Sequence, residues 1–375
     1  MAKEIRYRFL FLAPRFHTNQ CELVNLLLEK GHEVRFVALS VGGAEDHTSL
    51  VPDVVPLSAL GITINKWRNP KDDPAIRGRL GVPSLPHVWR ILLQFKPDVI
   101  ITRGVLRPYF LTCLPFALRT RILVYTQDPL FVGKLSVYRK SVYFVFLSLF
   151  RFRWFTPVEH LVPKPTPCKR SHKRMSFIPF FKSIPPNVAV RSKSGSSRLR
   201  VLGVGKLIPR KGLLETLGAI QCLDPTGEKI DFVWIGECST PEHQDFKTQV
   251  DLHPARNRLR LLTNLPLHAV QEEYCRHDLF VLPSKNEPAS VSQVEAMAHG
   301  LPIICSSESG TAHYVEDGVN GFVIEPCAAA IAVALQQYLD DPHLVERHSA
   351  NSLHKMRSRF SITTAYQALI SLVEA

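Results

Sequence analysis

Two glutamates eight positions apart, Glu287 and Glu295, are the residues of this chain whose types and spacing best suit chemistry. In Glu287-Pro-Ala-Ser-Val-Ser-Gln-Val-Glu295 the first acid stands in a loop ahead of a predicted helix. The second lies about one turn inside it, so both can face one crevice from different depths. Between them the amides of Ala289, Ser290 and Val291 open the helix, and the unpaired N–H groups of a helix N-terminus hold anions. A second loop, Gly203-Val-Gly-Lys-Leu-Ile-Pro-Arg-Lys-Gly212, places Gly205, Lys206 and Lys211 between a strand and a helix, where both ammonium groups could neutralise a phosphate. It is neither a Walker loop nor the G-x-G-x-x-G fingerprint. Carboxylates accept paired hydrogen bonds from vicinal hydroxyls while lysines and amides hold a diphosphate, so a sugar nucleotide would satisfy the whole set. The plainer reading makes Glu295 the acid of a capping box, Glu287 a surface charge and the lysines a solvated loop.

In the first half, Arg15, His17, Asn19, Gln127 and Asp128 fall just beyond predicted strand ends, where parallel sheets bind ligands. Asp128 could accept a proton from an attacking hydroxyl, as could a departing phosphate. An Asp ahead of Pro129 is also a common turn former, and His17 is open to the same reading as an ordinary loop histidine.

The elements that must position these groups follow from the apolar pattern. Arg8-Phe-Leu-Phe-Leu-Ala13 reads as a buried strand, Asn19 and Glu22 as the capping box of a helix ending at Gly31, and Glu33–Ala38 as the next strand. Strands at 98–101 and 122–125 flank a helical pattern around 109–118. Phe177–Arg200, with Pro179, Pro185, Pro186 and Ser192-Lys-Ser-Gly-Ser-Ser197, breaks the composition and reads as the link between units. The pattern then restarts with strands at 200–204, 232–235, 259–262 and 279–282, and with helices at 213–222 and up to His299, the latter capped by Ser290 or Ser292. The expected fold class is α/β, two Rossmann-like halves whose parallel sheets face a central cleft.

Composition narrows the function further. A hydrophobic share of 45% with 21% charged residues suits a globular chain, and 375 residues suit two domains. No apolar run approaches the roughly 20 residues of a spanning helix, and Met1–Arg8 has no signal-peptide character. Eight scattered cysteines without a C-x-x-C pair read as reduced thiols, not as a zinc site. Lys and Arg exceed Asp and Glu by 13, and the excess is local: Pro129–Leu214 holds 18 cations against the single acid Glu159, leaving the remainder at −4. Within it, residues 137–154 interleave aromatics with Arg, which suits an anionic membrane surface contacted through 137–154 and 164–182. A buried core segment with solvated flanking cations is the competing reading. Nucleic acid is not expected as a partner, because no recognised binding pattern accompanies the charge.

Glu287-x7-Glu295 followed by Ala296-Met-Ala-His-Gly-Leu-Pro302, the Lys206/Lys211 loop, and Tyr314-Val-Glu-Asp-Gly-Val-Asn-Gly-Phe-Val323 resemble the C-terminal half of a retaining glycosyltransferase of family four, bacterial surface-polysaccharide type, with a GT-B fold. The likeness covers about Arg200–Pro326 and extends weakly to Leu26-Leu-Leu-Glu-Lys-Gly-His-Glu-Val34. It implies an acceptor domain over 1–183, a linker over 184–198, a donor domain over 199–355 and a returning C-terminal helix over 356–375. It also implies that Glu295 binds ribose hydroxyls, that Lys206 and Lys211 bind the diphosphate, and that Glu287 with the amides of Ala289–Val291 holds the donor sugar. The sugar would pass, with retention, from a nucleotide diphosphate to a lipid-linked or saccharide acceptor at the cytoplasmic face of a membrane. Fixed cations rather than a metal would stabilise the leaving group, and no cofactor is expected.

The chain departs from the family where Glu287-Pro-Ala-Ser290 replaces a Glu-x-Phe-Gly run, where His313 replaces a Glu, where Pro14–Asn19 replaces a glycine-rich loop and where Gln127-Asp128 replaces a His. Two other readings remain: a GT-B epimerase or phosphorylase, and a non-catalytic basic protein that binds membrane or nucleic acid.

Overall fold

The computed structural model describes residues 5–41, 48–68, 81–104, 107–132, 141, 152–164, 166, 168–171, 173–191 and 198–375. Within them the chain forms two parallel, doubly wound sheets. The first has seven strands in the order β3-β2-β1-β4-β5-β7-β9. Its strands are β1 (Arg8–Leu12), β2 (Glu33–Ala38), β3 (Asp53–Val54), β4 (Val99–Arg103), β5 (Arg121–Tyr125), β7 (Arg153–Thr156) and β9 (Met175–Phe177). Between β5 and β9, β6 (Phe131–Val132) pairs antiparallel with β8 (Lys169–Arg170) as a separate ribbon.

The register shows why β1 is apolar at every position after Arg8. Phe9 and Phe11 enter the core on one face of the sheet, and Leu10 and Leu12 enter the core on the other. A parallel sheet covered on both sides demands that continuous run.

The second sheet has six strands in the order β12-β11-β10-β13-β14-β15. They are β10 (Leu199–Val204), β11 (Ile230–Gly236), β12 (Leu259–Thr263), β13 (Leu279–Leu282), β14 (Ile303–Ser306) and β15 (Gly321–Ile324). One core spans this half, with Trp234 and Tyr274 fully buried. Gly203 carries no side chain because a Cβ there would lie 2.2 Å from the Trp234 ring.

The last helix, Ile362–Glu374, crosses back onto the first sheet. Ala365, Leu369, Leu372 and Val373 form a stripe at helical spacing and join the core that holds Phe9, Phe11 and Phe36. Tyr366 Oη meets His32 Nε2 at 2.9 Å.

Several sequence expectations are corrected. The first helix starts at Thr18, with His17 in the cap position, so Asn19 is not the cap. Glu22 instead contacts Lys182, and Asn19 donates to Tyr125 Oη. The helical pattern at 109–118 resolves into Pro108–Cys113 and one 3-10 turn, Leu114–Phe116, because Pro115 cannot continue the α ladder. The end of the aromatic-cationic segment does not lie on a surface: Phe152 and Trp154 are 2% exposed and belong to the core around β7. Its body, at 137–140 and 142–151, lies outside the described residues. In 164–182, Lys164, Lys169, Arg170 and Lys173 are exposed, whereas Met175, Ile178 and Phe181 are buried. Among the described residues no helix is long and apolar enough to cross a membrane.

Candidate functional site

The site is assembled at the carboxyl ends of β10, β11 and β13, where a parallel sheet leaves its loops free to bind. After β10 the chain turns through Gly205 and Lys206 into the 3-10 turn Pro209–Lys211, and Gly212 then adopts φ +79° to launch helix Leu213–Leu223. A Cβ on Gly212 would stand 2.7 Å from the carbonyl of Pro283 after β13. This approach, with the bond from Lys285 N–H to Arg210 O at 2.7 Å, locks the cationic loop against the acidic one. The result is a direct pairing of the expected residues. Lys211 Nζ lies 2.5 Å from Glu287 Oε2, and Arg210 Nη1 lies 2.7 Å from the same oxygen. Burial lowers the Lys211 ammonium from its usual range, and Glu287 partly offsets that.

Glu295 faces other partners. Tyr274 Oη donates to its Oε2 at 3.2 Å, and Lys182 Nζ lies 3.6 Å from its Oε1. Burial pushes this carboxyl above the ordinary range, against the pull of Lys182 and Tyr274. The two acids of the motif therefore share one loop-helix unit but hold different cations. Together with Thr18, Asn19, Gln20, Glu22, Tyr125, Phe180 and Phe181, Glu295 and Val291 line a hollow between the halves, with walls that are mostly apolar.

Helix Val291–Ala298 is capped by Ser290, whose hydroxyl accepts the Gln293 N–H. The amide of Ser290 donates to Thr311 Oγ1 at 3.2 Å, so it is not free to hold a donor sugar. The Gln293 side chain closes on Thr311. Gly205 is similarly committed, because its N–H continues the ladder to Ile235 O and its carbonyl accepts from Trp234 Nε1. Its use is spatial: a Cβ there would press on Lys211 Cδ at 3.3 Å. Ala289 is 9% exposed, and Val291 opens onto the hollow.

Lys206 pairs at 2.9 Å with Glu237, which follows β11 at a strand end and belongs to no recognisable motif. Burial raises the Glu237 carboxyl, but bonds from Ser239 and Lys206 outweigh that and hold it below its usual value. Across the cleft, His17 is pushed down to about 4 by burial and then by the charges of Arg103, Arg15 and Lys206. Lys206 and Glu237 of the second half thus act electrostatically on a histidine of the first. At neutral pH that ring is uncharged.

Among the remaining first-half residues, Arg103 lies 6.0 Å from the Tyr125 ring, and the Tyr125 hydroxyl is also bonded by Gln127. Asp128 Oδ2 accepts from Thr126 Oγ1 at 3.1 Å and its N–H donates back to that hydroxyl, a local turn. The Oδ1 of Asn19 and Oε1 of Gln20 are buried acceptors that meet no donor among the described residues.

A second seam joins the halves below the cleft. His313 Nε2 accepts the Glu159 N–H at 3.0 Å, and Tyr314 Oη donates to Pro157 O while accepting from the Phe180 N–H. Burial, then His160 and Arg359, lower His313 to about 3. Glu159, His160 and His313 bring ligand-type atoms within 4.8 Å, but Glu159 is paired with Arg359 and His313 with a backbone amide.

Residues 189–355 match the family described as Glycosyl transferases group 1. α-D-kanosaminyltransferase of Streptomyces kanamyceticus is 26% identical over 173 residues, 46% of this chain and 44% of that protein, so the alignment spans less than half of that relative's length. The lipopolysaccharide core biosynthesis glycosyltransferase LpsD of Rhizobium meliloti is 24% identical over 366 residues, 94% of this chain and 93% of the relative. Among solved structures, Anabaena HepE in complex with UDP-glucose superposes with a TM-score of 0.69 over 99% of this chain and all of that one, at 17% identity. The fold is GT-B.

Proposed function

We propose, from a second half that matches the group 1 glycosyl transferases within a GT-B fold, that the protein is a retaining glycosyltransferase. It moves a sugar from a nucleotide diphosphate to a saccharide or lipid-linked acceptor in surface-polysaccharide assembly. The observation that carries the reading is the junction of the two loops: Lys211 Nζ rests 2.5 Å from Glu287 Oε2 while Glu295 stands in the same loop-helix unit at the hollow between the halves. The bound UDP-glucose of Anabaena HepE and the lipopolysaccharide-core role in the name of LpsD favour a UDP-sugar donor and a surface-glycan acceptor.

The chemistry follows from the charges. In this reading the ribose hydroxyls donate to Glu295. The diphosphate lies against Lys206, Lys211 and Arg210; Glu237 holds Lys206 in place, and Glu287 holds Lys211 and Arg210 as well as meeting the donor sugar. As the bond from the anomeric carbon to the phosphate oxygen breaks, negative charge grows on the diphosphate where fixed ammonium groups already stand. The acceptor oxygen bonds to the anomeric carbon on the face the diphosphate leaves. Its proton passes to the departing phosphate oxygen, since Asp128 is engaged in its own turn. Neutral His17 and the open acceptors of Asn19 and Gln20 suit hydroxyl groups of a sugar. Arg15 and Gln127 complete the acceptor side. No metal takes part. Exposed Lys164, Lys169, Arg170 and Lys173 supply an electrostatic contact with an anionic membrane.

The test is a panel of nucleotide sugars followed by mass spectrometry. Transfer or slow hydrolysis of at least one is expected, abolished in Glu295→Ala and weakened about tenfold or more in Lys211→Ala. Failure of a folded sample to bind any member of the panel overturns the reading. Release of a free epimerised sugar nucleotide, without acceptor, would assign an epimerase instead.

A further inference from the structure

Lys182 lies on the irregular segment that follows β9, at the end of the basic 164–182 stretch. Its Nζ is 2.5 Å from Glu22 Oε1 on the first helix and 3.6 Å from Glu295 Oε1 on helix Val291–Ala298. One cation therefore stands between one carboxylate from each half of the molecule. The side chains of Lys182, Glu22 and Glu295 are only 18%, 25% and 14% exposed. The other oxygen of Glu295 receives the Tyr274 hydroxyl, and Tyr274 stacks on His299 with ring centroids 5.1 Å apart. His299 Nδ1 bonds the backbone carbonyl of Glu295 at 2.8 Å, and burial keeps that imidazole below its usual range. Among the described residues Lys182 is the cation paired with Glu295.

A carboxyl this deep takes up a proton unless a positive charge holds it ionised. A ribose diol is met best by two strong acceptor oxygens, and protonation turns one of them into a donor and weakens both as acceptors. Each carboxylate oxygen has two acceptor directions, so the bonds to Tyr274 and Lys182 leave one free on each for a hydroxyl. We propose that Lys182 is a positioning residue of the donor site, the counter-cation that keeps Glu295 ionised and so able to accept both ribose hydroxyls. The inference rests on the reading of Glu295 as the ribose acid. Glu22, whose charge pushes Glu295 the other way, holds the ammonium in place and sets how strongly it acts.

The groups facing Glu295 predict opposite shifts for two variants. The full-length protein is titrated calorimetrically with UDP, GDP and ADP between pH 5.5 and 8.5, and the nucleotide that binds most tightly is carried forward. In Lys182→Met the midpoint of Glu295 rises, so affinity falls about tenfold for each pH unit below it, while binding at pH 8.5 stays within about twofold of the wild type. Lys182→Arg restores the wild-type profile. In Glu22→Gln the upward push on Glu295 is lost, and binding persists to lower pH than in the wild type. A wild-type pH profile in both Lys182→Met and Glu22→Gln overturns the inference, whatever their melting temperatures. If the wild type binds none of the three nucleotides at any pH, the donor reading itself falls, and the inference with it.

Discussion

Each of the two motif glutamates depends on a different lysine, and this sets what single substitutions should do. Removing Lys211 leaves Glu287 buried with only the half-exposed Arg210 beside it. Lys211→Met should therefore weaken donor binding and also lower thermal stability, whereas Lys206→Met, at a more exposed pair, should reduce turnover with little change in melting temperature. His313→Leu strands the Glu159 N–H and should cost about 1–3 kcal/mol of stability by denaturant titration, while His313→Gln, which keeps a neutral acceptor there, should lose less. His17 stays neutral well below pH 6, so a pH–rate profile between 5 and 8 should be unchanged in shape by His17→Asn. Roles at this scale were only partly legible beforehand. Glu287, Glu295 and the lysines announced themselves by spacing, but Lys182, Tyr274 and Glu237 sit in unremarkable local sequence and acquire meaning only when distant strands bring them together.

At the level of elements, the site is precise because two loops are pinned to their neighbours by absent side chains. Gly310 lies so close to the 287–290 loop that a Cβ would fall 1.9 Å from the Pro288 carbonyl, and its N–H bonds Glu287 O at 2.8 Å. Gly310→Ala should shift Glu287 off Lys211, lowering donor affinity in calorimetry and melting temperature together. Ahead of β11, Asp224 accepts the N–H groups of Gly227, Glu228, Lys229 and Ile230. Burial raises that carboxyl, but the four donors outweigh it and hold it below its usual value. Its contribution is thus complete above the unfolded value, near 4, and is lost as pH falls through the lower folded value. Asp224→Ala should lower stability at pH 7 and show a shallower acid limb than the wild type in urea titrations. The strands were readable because buried parallel strands are continuous apolar runs, as in Arg8–Leu12 and Leu279–Leu282. Caps were less so: Asn19 and Glu22 have capping-box spacing, yet contacts with Tyr125 and Lys182 outweigh that local preference.

Across the whole molecule, charge and metal content give the remaining tests. Sedimentation with vesicles of phosphatidylglycerol and phosphatidylcholine is expected to retain the protein at low salt and release it at high salt. Substituting Lys164, Lys169, Arg170 and Lys173 together by Gln should weaken retention without affecting turnover on a soluble acceptor. Transfer should proceed unchanged in excess EDTA; a loss restored by a divalent ion would overturn the fixed-cation mechanism. At the described end of the aromatic-cationic stretch composition alone does not separate surface from core, since Arg153–Thr156 is a strand that buries Trp154 and Phe155. The final helix carries a consequence of another kind. Because Ala365, Leu369, Leu372 and Val373 belong to the core built around Phe9 and Phe36, the first half takes part of its interior from residues encoded after the second half. Removing the residues beyond 360 should therefore loosen the Phe9–Phe36 core at the opposite end of the sequence more than the core around Trp234.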